Sequence, residues 1–533
     1  MAGADPMTDP DSPEYAAHVA DGYAFEGEAI AIGALVQGEE ATETAQVRLP
    51  LKMMNRHGLI AGATGTGKTR TLQVFAESLS DAGVPVFVTD IKGDLSGMAL
   101  EGEQKDFIDK RAADIGQEWA PKAYPLEFYA LGGIGKGVPL RTTVTDFGPL
   151  LMSKVLGLTD VQESAMGLIF HWADTNGLAL LDLKDLRAVI QFLGSDEGKP
   201  ELKDIGGVSS STAGVLLREI ANLQAQGADD FFGEPAFNTM DLLKTAPDGR
   251  GIISCLELPD LQDRPHLFST FIMWLLADLF ADLPEVGDPD KPRLVFFFDE
   301  AHLLFTDASK DFLTQVTQTV RLIRSKGVGV FFVTQTPRDV PADVLGQLGS
   351  RVQHALRAFT PDDAAAMKAT ARTFPHSPYD LEEVLTTMGI GEAAVTVLSD
   401  RGAPTPVAWT RLCAPRGSMD PAPDGVIEAV VKASPQAAAY GEVLDRESAY
   451  EKLAEKAAAR SEAVQKEAEQ QAAQEAEQQA EQQADAPKSR SSRRDKSVVE
   501  QVVTSQPVKT FARQAGREVG RQIMRSLLGV LKR

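Results

Sequence analysis

A glycine-rich octapeptide stands between a short apolar run, HGLIA at 57–61, and a helical pattern that begins KTRTLQVF. It fits the phosphate-binding pattern G-x-x-x-x-G-K-[ST] at every fixed position, and its members are Gly62, Ala63, Thr64, Gly65, Thr66, Gly67, Lys68 and Thr69. A strand before the loop and a helix after it are the context that this motif requires. We therefore expect an α/β domain in which a mainly parallel sheet carries a P-loop.

The octapeptide predicts a triphosphate site. Glycines allow backbone N–H groups to curl around an oxyanion, and the N-terminus of the following helix adds its dipole. Lys68 would place its charge at the β- and γ-phosphates, and Thr69 would offer its hydroxyl to Mg²⁺. The alternative is a glycine-rich turn that only resembles a P-loop, and the flanking strand and helix argue against it.

A second apolar run, RLVFFFDE at 293–300, ends in an acidic pair. Asp299 is expected to hold Mg²⁺, through Thr69 or a water molecule. Glu300 is expected to polarise the water that attacks the γ-phosphate, as general base. Acids directly after a buried strand indicate a hydrolase, and the sequence contains no N-K-x-D guanine-reading motif. The expected cofactors are ATP and Mg²⁺.

Polar and basic residues around the next strand extend the candidate site. The run VGVFFVTQ ends in Gln335, which would sense the γ-phosphate or orient water if its strand lies beside the one that carries Asp299. Arg321 and Arg324 are three residues apart and share one face of the preceding helix. Two interpretations stay open: one guanidinium reaches the γ-phosphate of a neighbouring subunit, or both only favour a helix C-terminus.

Two further polar segments near the motifs are interpreted as structural. The run 90–94, Asp-Ile-Lys-Gly-Asp, ends a predicted strand, and its residue types favour turn chemistry over a role with Mg²⁺. His57 precedes the P-loop strand, and a packed histidine is favoured there over a contact with nucleotide.

Apolar strands alternate with helical stretches from His57 to about Leu412, which indicates βαβ units. Residues 141–250 lack a convincing long strand and are predicted to form a helical insertion, whereas 23–52 are predicted to supply strands that lead into the core. The strand candidates are 57–61, 84–90, 126–131, 251–258, 293–300, 328–335 and 351–357.

The two ends of the chain differ from the α/β region. Residues 1–22 are predicted to be disordered because they show no apolar period. The Ala/Glu/Gln-rich residues 440–486 predict a solvated helix or weak coiled coil. Residues 487–507 are predicted to be a basic flexible linker, and 508–533 a basic amphipathic helix.

Charge divides the chain in the same way. The net charge is −23, which argues against coating nucleic acid by bulk charge but allows a motor that grips a strand with a few residues. Residues 488–533 carry 12 Lys/Arg and 3 Asp/Glu, whereas 1–487 carry a net charge of −32. Three partners stay open for the C-terminal basic helix: the acidic body of the protein itself, DNA, or anionic lipid.

Several classes of protein are excluded by composition. The sequence has no run of 18 uncharged apolar residues, so no transmembrane segment is predicted. Its N-terminus lacks the basic and apolar regions of a secretory signal. Cys255 and Cys413 are too few for a disulfide framework or a four-ligand metal site. A cytoplasmic location is the expectation.

Taken together, four motifs resemble the HerA-like ATPases, and more narrowly the bacterial YjgR subfamily related to HerA and FtsK motors. They are NRHGLIAGATGTGKT, DIKGDLSGMA, FFFDEAH and RLIRSKGVGVFFVTQTP, which occur in the family's order within residues 23–415. The resemblance implies a RecA-like core with an additional strand and a catalytic glutamate. It also implies a ring, hexameric in HerA relatives, that hydrolyses ATP between subunits and translocates DNA.

The resemblance also assigns roles to individual residues. Lys68 and Thr69 match the P-loop pair, Asp299 and Glu300 the Walker B pair, and Gln335 the sensor. Arg324 matches the trans-acting arginine, with Arg321 as second choice; Ser325 stands where HerA has lysine.

The leading functional hypothesis is an ATP-driven ring motor that acts on DNA as a translocase or helicase. The alternative is a regulatory or assembly ATPase, whose nucleotide state controls oligomerisation or partner docking without translocation. A purely structural role, with Lys68 vestigial, is the third hypothesis.

Overall fold

The computed structural model describes residues 9–258, 265–305 and 310–484 of the 533-residue chain. Among these, the residues up to 456 form one compact unit, and 457–484 belong to a second unit. Within the described residues, no helix is both long and apolar enough to cross a membrane.

The first unit is built on one large mixed sheet, which has twelve strands in the described part of the chain. The strand order is β2-β1-β12-β11-β10-β3-β9-β8-β4-β7-β5-β6. The strands are β1 (Ala29–Gln37), β2 (Glu40–Pro50), β3 (Gly58–Ala61), β4 (Val86–Asp90), β5 (Leu126–Leu131), β6 (Val138–Leu140), β7 (Ile253–Glu257), β8 (Leu294–Phe298), β9 (Val328–Thr334), β10 (Ser350–His354), β11 (Glu392–Thr396) and β12 (Ala408–Leu412).

The pairing of the strands divides the sheet into two parts. All pairs from β10 to β6 are parallel, whereas the pairs that join β10, β11, β12, β1 and β2 are antiparallel. The mainly parallel sheet that the sequence predicts is confirmed. Strand β9 lies between β3 and β8, so the expected neighbour relation of the Gln335 and Asp299 strands is also confirmed.

Helices pack on both faces of this sheet and extend beyond it. They are α1 (Pro13–Gly22), α2 (Lys68–Asp81), α3 (Asp106–Ile115), α4 (Val144–Val155), α5 (Asp160–Thr175), α6 (Leu183–Gly194), α7 (Ser210–Ala225), α8 (Pro265–Asp282), α9 (His302–Phe305), α10 (Lys310–Ile323), α11 (Ala342–Leu345), α12 (Pro361–Ala371), α13 (Leu381–Thr387), α14 (Asp424–Ala433), α15 (Pro435–Tyr440) and α16 (Ala449–Ala484).

Burial of apolar side chains on both faces of the sheet holds the central strands in place. Every residue of β4, β8 and β9 is buried, as parallel strands covered on both faces require. Phe296 and Phe297 of β8 point to opposite faces and belong to two different core clusters. Because both faces are anchored, the carboxyl ends of β3, β9, β8 and β4 are held side by side at one edge of the sheet.

All seven strand candidates of the α/β region form strands. Strands β6, β11 and β12 have no clear signal in the sequence, because they are short or contain small and polar residues. Helices α4 to α7 lie between β6 and β7, within the predicted helical insertion over 141–250.

The prediction of disorder over residues 1–22 is wrong for residues 13–22, which form α1. Ser12 caps this helix by accepting a hydrogen bond from the Tyr15 N–H at 3.2 Å, and Pro13 starts it. Tyr15 and Val19 are buried, and the Tyr15 hydroxyl donates to the Val407 carbonyl at 2.6 Å. Burial of two large side chains, four residues apart, orders a segment whose composition alone suggests disorder.

The C-terminal predictions are only partly within the described residues. Of residues 440–486, 449–484 form the single long helix α16, whereas 441–448 are not helical. The predicted linker 487–507 and the predicted basic helix 508–533 lie outside the described residues.

Candidate nucleotide-binding site

The octapeptide forms a loop between β3 and α2, and α2 begins at Lys68. Gly65 and Gly67 have φ of 80° and 113°, in the region that favours glycine. A Cβ on Gly67 would also lie 3.2 Å from the backbone nitrogen of Gly391, which donates to the Thr66 carbonyl at 2.9 Å. Gly391 therefore contacts the outer side of the loop, and the N-terminus of α2 lies at its inner side.

Lys68 lies under this loop and is 8% exposed. Its ammonium donates to the carbonyls of Gly62 at 2.6 Å and Ala63 at 3.2 Å. Burial lowers the pKa of Lys68, and the carboxylates of Glu300 and Asp299 oppose that shift. Thr69, the next residue, is half-buried at the start of α2.

A buried histidine supports the loop from below, and sequence reasoning missed it. His354 ends β10, the parallel neighbour of β3, and its Nε2 lies 2.9 Å from the Thr71 hydroxyl on α2. Burial lowers the pKa of His354 to about 3, so the ring is neutral. The only signal in the sequence is the histidine itself within the strand candidate RVQHALR.

The acidic pair follows β8 directly. Asp299 is 2% exposed, and its N–H donates to the Thr89 hydroxyl on β4 at 3.0 Å. Its Oδ2 is buried and has no hydrogen-bond partner among the described residues. Burial, followed by the charge of Glu300, raises the pKa of Asp299 to about 7.

Glu300 has a backbone φ of 47°, which is uncommon for a residue other than glycine. Its Oε1 forms an ion pair with the ammonium of Lys92, and His302 Nδ1 lies 3.3 Å from its Oε2. Burial acts to raise the pKa of Glu300, but the hydrogen bond and charge of Lys92 outweigh burial and leave it below its usual range. Lys92 is a second residue of the site that sequence reasoning did not identify.

Gln335 is exposed and stands between the loop and the acidic pair, directly after β9. On one side the Gly62 N–H donates to the Thr334 carbonyl at 3.2 Å, and on the other the Ala301 N–H donates to the Val333 carbonyl at 2.9 Å. The end of β9 therefore bridges the two motifs. The P-loop strand and the Asp299 strand are two strand spacings apart, or roughly 10 Å.

The two arginines lie at the opposite edge of the sheet. Arg321 is in the last turn of α10, and Arg324 is in the short turn that precedes β9. Because β9 runs from that turn to the P-loop edge, its seven residues separate Arg324 from Lys68 by roughly 20 Å. The structure therefore does not bring these arginines to the P-loop of their own subunit.

The arginines line a cavity of about 680 Å³ together with Arg56, His57 and Asp288. Arg56 and Arg324 both approach the Asp288 carboxylate, at 3.0 and 3.9 Å. His57 Nδ1 accepts a hydrogen bond from the Val330 N–H at 3.1 Å, and burial lowers the pKa of His57 to about 4. The interpretation of His57 as a packed histidine is confirmed.

The run 90–94 is a turn, as its residue types predict. Asp90 Oδ1 accepts from the Gly93 and Asp94 N–H groups at 2.7 and 3.2 Å, and Oδ2 accepts from the Leu95 N–H at 2.8 Å. Burial raises the pKa of Asp90 to about 6. Its carboxylate is used by the turn and is not free for a ligand.

The residues at the P-loop edge fit a triphosphate with Mg²⁺. The buried Oδ2 of Asp299, without a partner among the described residues, is an oxygen of the kind that Mg²⁺ prefers, and burying it alone is costly. The Lys68 ammonium and the helix N-terminus supply positive charge for phosphate oxygens.

Comparison with known proteins agrees with this geometry. A family model described as "Helicase HerA-like C-terminal" matches residues 36–533. The DNA double-strand break repair helicase HerA of Saccharolobus solfataricus is 22% identical over 378 residues, which cover 70% of this chain and 67% of HerA. A structure of the bacterial conjugative coupling protein TrwB, lacking an N-terminal segment, has a TM-score of 0.50 and 15% identity, covering 76% of this chain and 94% of TrwB.

The likeness to TrwB shows a shared fold. The family model does not divide the family further, so the narrower YjgR assignment stays a prediction. Because the family match spans most of the sequence, the chain belongs to the HerA-like C-terminal helicase family and is a P-loop ATPase of the HerA/FtsK type.

Proposed function

We propose that the carboxyl edge of the central strands is one half of an ATP-hydrolysing site, and that the protein is a ring motor acting on DNA. The observation that carries the proposal is the placement of Lys68, Asp299 and Glu300 at one edge of the sheet and of Arg321 and Arg324 at the other. A site that needs both sets is complete only when two subunits meet.

Within one subunit, the P-loop amides of residues 62–69 and the Lys68 ammonium bind the phosphates. Thr69 and Asp299 hold Mg²⁺, which when bound neutralises charge on the phosphate oxygens. Glu300 acts as general base on the attacking water. Gln335, at the end of the strand between the two motifs, orients that water or senses the γ-phosphate.

The neighbouring subunit supplies further positive charge to the P-loop edge. Arg324 is the first candidate and Arg321 the second, and a guanidinium delivered to the γ-phosphate stabilises charge that develops during transfer. Arg56 lies on the same Asp288 carboxylate as Arg324, so it belongs to the same surface. A head-to-tail contact of this kind builds a ring when its rotation closes, and six subunits is the number implied by the HerA resemblance.

DNA as the substrate rests on the family and on the HerA relative, a DNA repair helicase. With a net charge of −32 on residues 1–487, the body does not attract DNA by bulk charge. Contact with the strand would depend on local groups, as in a motor that grips DNA within a ring.

The test is ATP turnover by the full chain with and without double-stranded DNA. We expect stimulation by DNA, and a loss of turnover of about 100-fold or more in Glu300→Gln, since a positioned general base contributes about that much. Glu257→Gln is the matched control, because Glu257 also ends a parallel strand at the same edge. Turnover that no nucleic acid changes would remove the DNA claim and favour the regulatory or assembly ATPase.

A further inference from the structure

The carboxylate of Glu300 is engaged by Lys92, a residue of the DIKGDLSGMA motif to which the sequence assigns no role of its own. Lys92 Nζ forms an ion pair with Glu300 Oε1, and the Lys92 side chain is 44% exposed while that of Glu300 is 8% exposed. The second oxygen, Oε2, is buried with no hydrogen-bond partner among the described residues, although His302 Nδ1 is 3.3 Å away. Neither oxygen is therefore presented to a water molecule in this arrangement.

The backbone fixes where Lys92 stands. It lies in the turn after β4, and the carboxylate of Asp90 anchors that turn through three N–H groups of residues 93–95. Strand β4 is the parallel neighbour of β8, so the turn lies beside Glu300. Only the flexible side chain of Lys92, and not its backbone, needs to move to break the ion pair.

A triphosphate would compete for this lysine. The Lys92 ammonium is close enough to Lys68 for its charge to act on the same site. Lysine is a compact charge on a flexible stem, and the phosphates bring several negative charges to the same region. A partner exchange from carboxylate to phosphate would leave Glu300 Oε1 able to accept a hydrogen bond from water.

We propose that Lys92 is a latch on Glu300, which holds the general base in an unproductive ion pair and from which the phosphates of bound nucleotide draw the ammonium only part of the time. The inference rests on the role proposed above for Glu300. It makes Lys92 a positioning residue that suppresses idle hydrolysis.

Removal of the latch is expected to raise idle turnover. In Lys92→Met, kcat without DNA should rise about fivefold, because loss of one ion pair shifts the balance toward the free carboxylate by that order. Lys92→Arg keeps the charge and should stay within about twofold of wild type. The Kd for ATP, measured by equilibrium binding, should change by less than about threefold in both variants, which also shows that they are folded.

Two further variants establish whether the gain in turnover passes through the Lys92–Glu300 ion pair. Lys154→Met removes a lysine ion pair with Glu163 at 3.1 Å in the helical region and should leave kcat unchanged. Lys92→Met combined with Glu300→Gln should be as inactive as Glu300→Gln alone, because the gain acts through Glu300. Lys92→Gln replaces the methionine variant if the latter does not fold.

A kcat that falls or stays constant in Lys92→Met overturns the latch. A gain that persists in the double variant overturns it as well, because the effect would not pass through Glu300. If Glu300→Gln alone retains full turnover, the proposed role of Glu300 fails instead, and that result is distinguishable because it does not involve Lys92.

Discussion

The two edges of the central sheet carry opposite kinds of chemistry. At the carboxyl edge, Glu257 ends a parallel strand, Asp299 and Glu300 directly follow one, and all three are buried. At the amino edge, Arg324 and Arg56 converge on a cavity and remain partly exposed. The acids of the carboxyl edge lie where a helix N-terminus and a lysine can bind an anionic ligand with its metal. The guanidinium groups of the amino edge lie where another molecule can approach.

Under the proposed function, one chain holds two half-sites and not one complete site. The length of β9 separates the halves by roughly 20 Å, which no side chain can bridge. The proposed function therefore makes each site depend on a neighbouring subunit for transition-state charge. Substitutions confined to one edge should therefore impair different steps of the reaction.

The largest effect is expected from loss of the P-loop lysine. Lys68→Ala removes the ammonium that reaches the Gly62 and Ala63 carbonyls and leaves phosphate binding to backbone amides alone. Turnover should fall by about 1,000-fold or more, with ATP binding strongly weakened. Turnover and equilibrium ATP binding measure this, and unchanged hydrolysis in a purified variant would support the structural role with a vestigial P-loop.

Loss of the arginine at the opposite edge should be nearly as severe, with a different signature. Arg324→Ala should lower kcat by about 1,000-fold while ATP still binds, because the guanidinium acts on the transition state of a neighbouring site. Arg321→Ala, on the preceding helical turn, should have a smaller effect.

Mixing the two inactive chains tests the separation of the edges directly. An equal mixture of Lys68→Ala and Arg324→Ala chains should recover about a quarter of wild-type turnover, since that share of interfaces pairs an intact P-loop with an intact arginine. If the arginine served its own subunit, every site would remain defective. A mixture with no activity would thus contradict the division into half-sites.

Substitution of Gln335, directly after β9, should have an intermediate effect on turnover. Gln335→Ala leaves the backbone bridge between Gly62 and Ala301 in place and removes only an exposed side-chain amide directly after β9. We expect kcat to fall by about 10- to 100-fold with little change in ATP binding, as for a group that orients water. Gln335→Glu serves as the control for side-chain size, and a loss confined to binding would argue against this role.

The sequence predicts the carboxyl edge far better than the amino edge. Lys68, Asp299 and Gln335 each end or follow an apolar strand, and parallel strands place such positions at one edge whatever the loops do. Arg56, by contrast, meets Arg324 only because both reach Asp288, which lies 232 positions after Arg56. No local pattern records that contact.

The same limit applies to Lys92, His354 and helix α1. Lys92 contacts Glu300, which follows the strand next to β4, and His354 contacts Thr71 on the helix that follows the strand next to β10. Their roles therefore depend on strand order and not on spacing along the chain. Helix α1 is not predicted because it is ordered by the packing of Tyr15 and Val19 against the rest of the first unit. The composition of a segment does not reveal whether residues far away in the sequence will bury it.

The smallest effect is expected from substitution of Glu257, an acid with a structural role at the same edge as Asp299 and Glu300. Burial, followed by the charge of Asp90, raises the pKa of Glu257 to about 8, and Cys255 Sγ lies 3.4 Å from its Oε1. The folded chain therefore holds this proton more tightly than the unfolded chain between the ordinary glutamate pKa and about 8, so stability falls as pH rises through that window.

Glu257→Gln cannot ionise and should melt at a higher temperature than wild type at pH 8.5, with little difference at pH 5 and unchanged ATP turnover. Melting curves at the two pH values measure this, and equal melting temperatures at pH 8.5 would mean that the buried carboxylate is ionised at no cost.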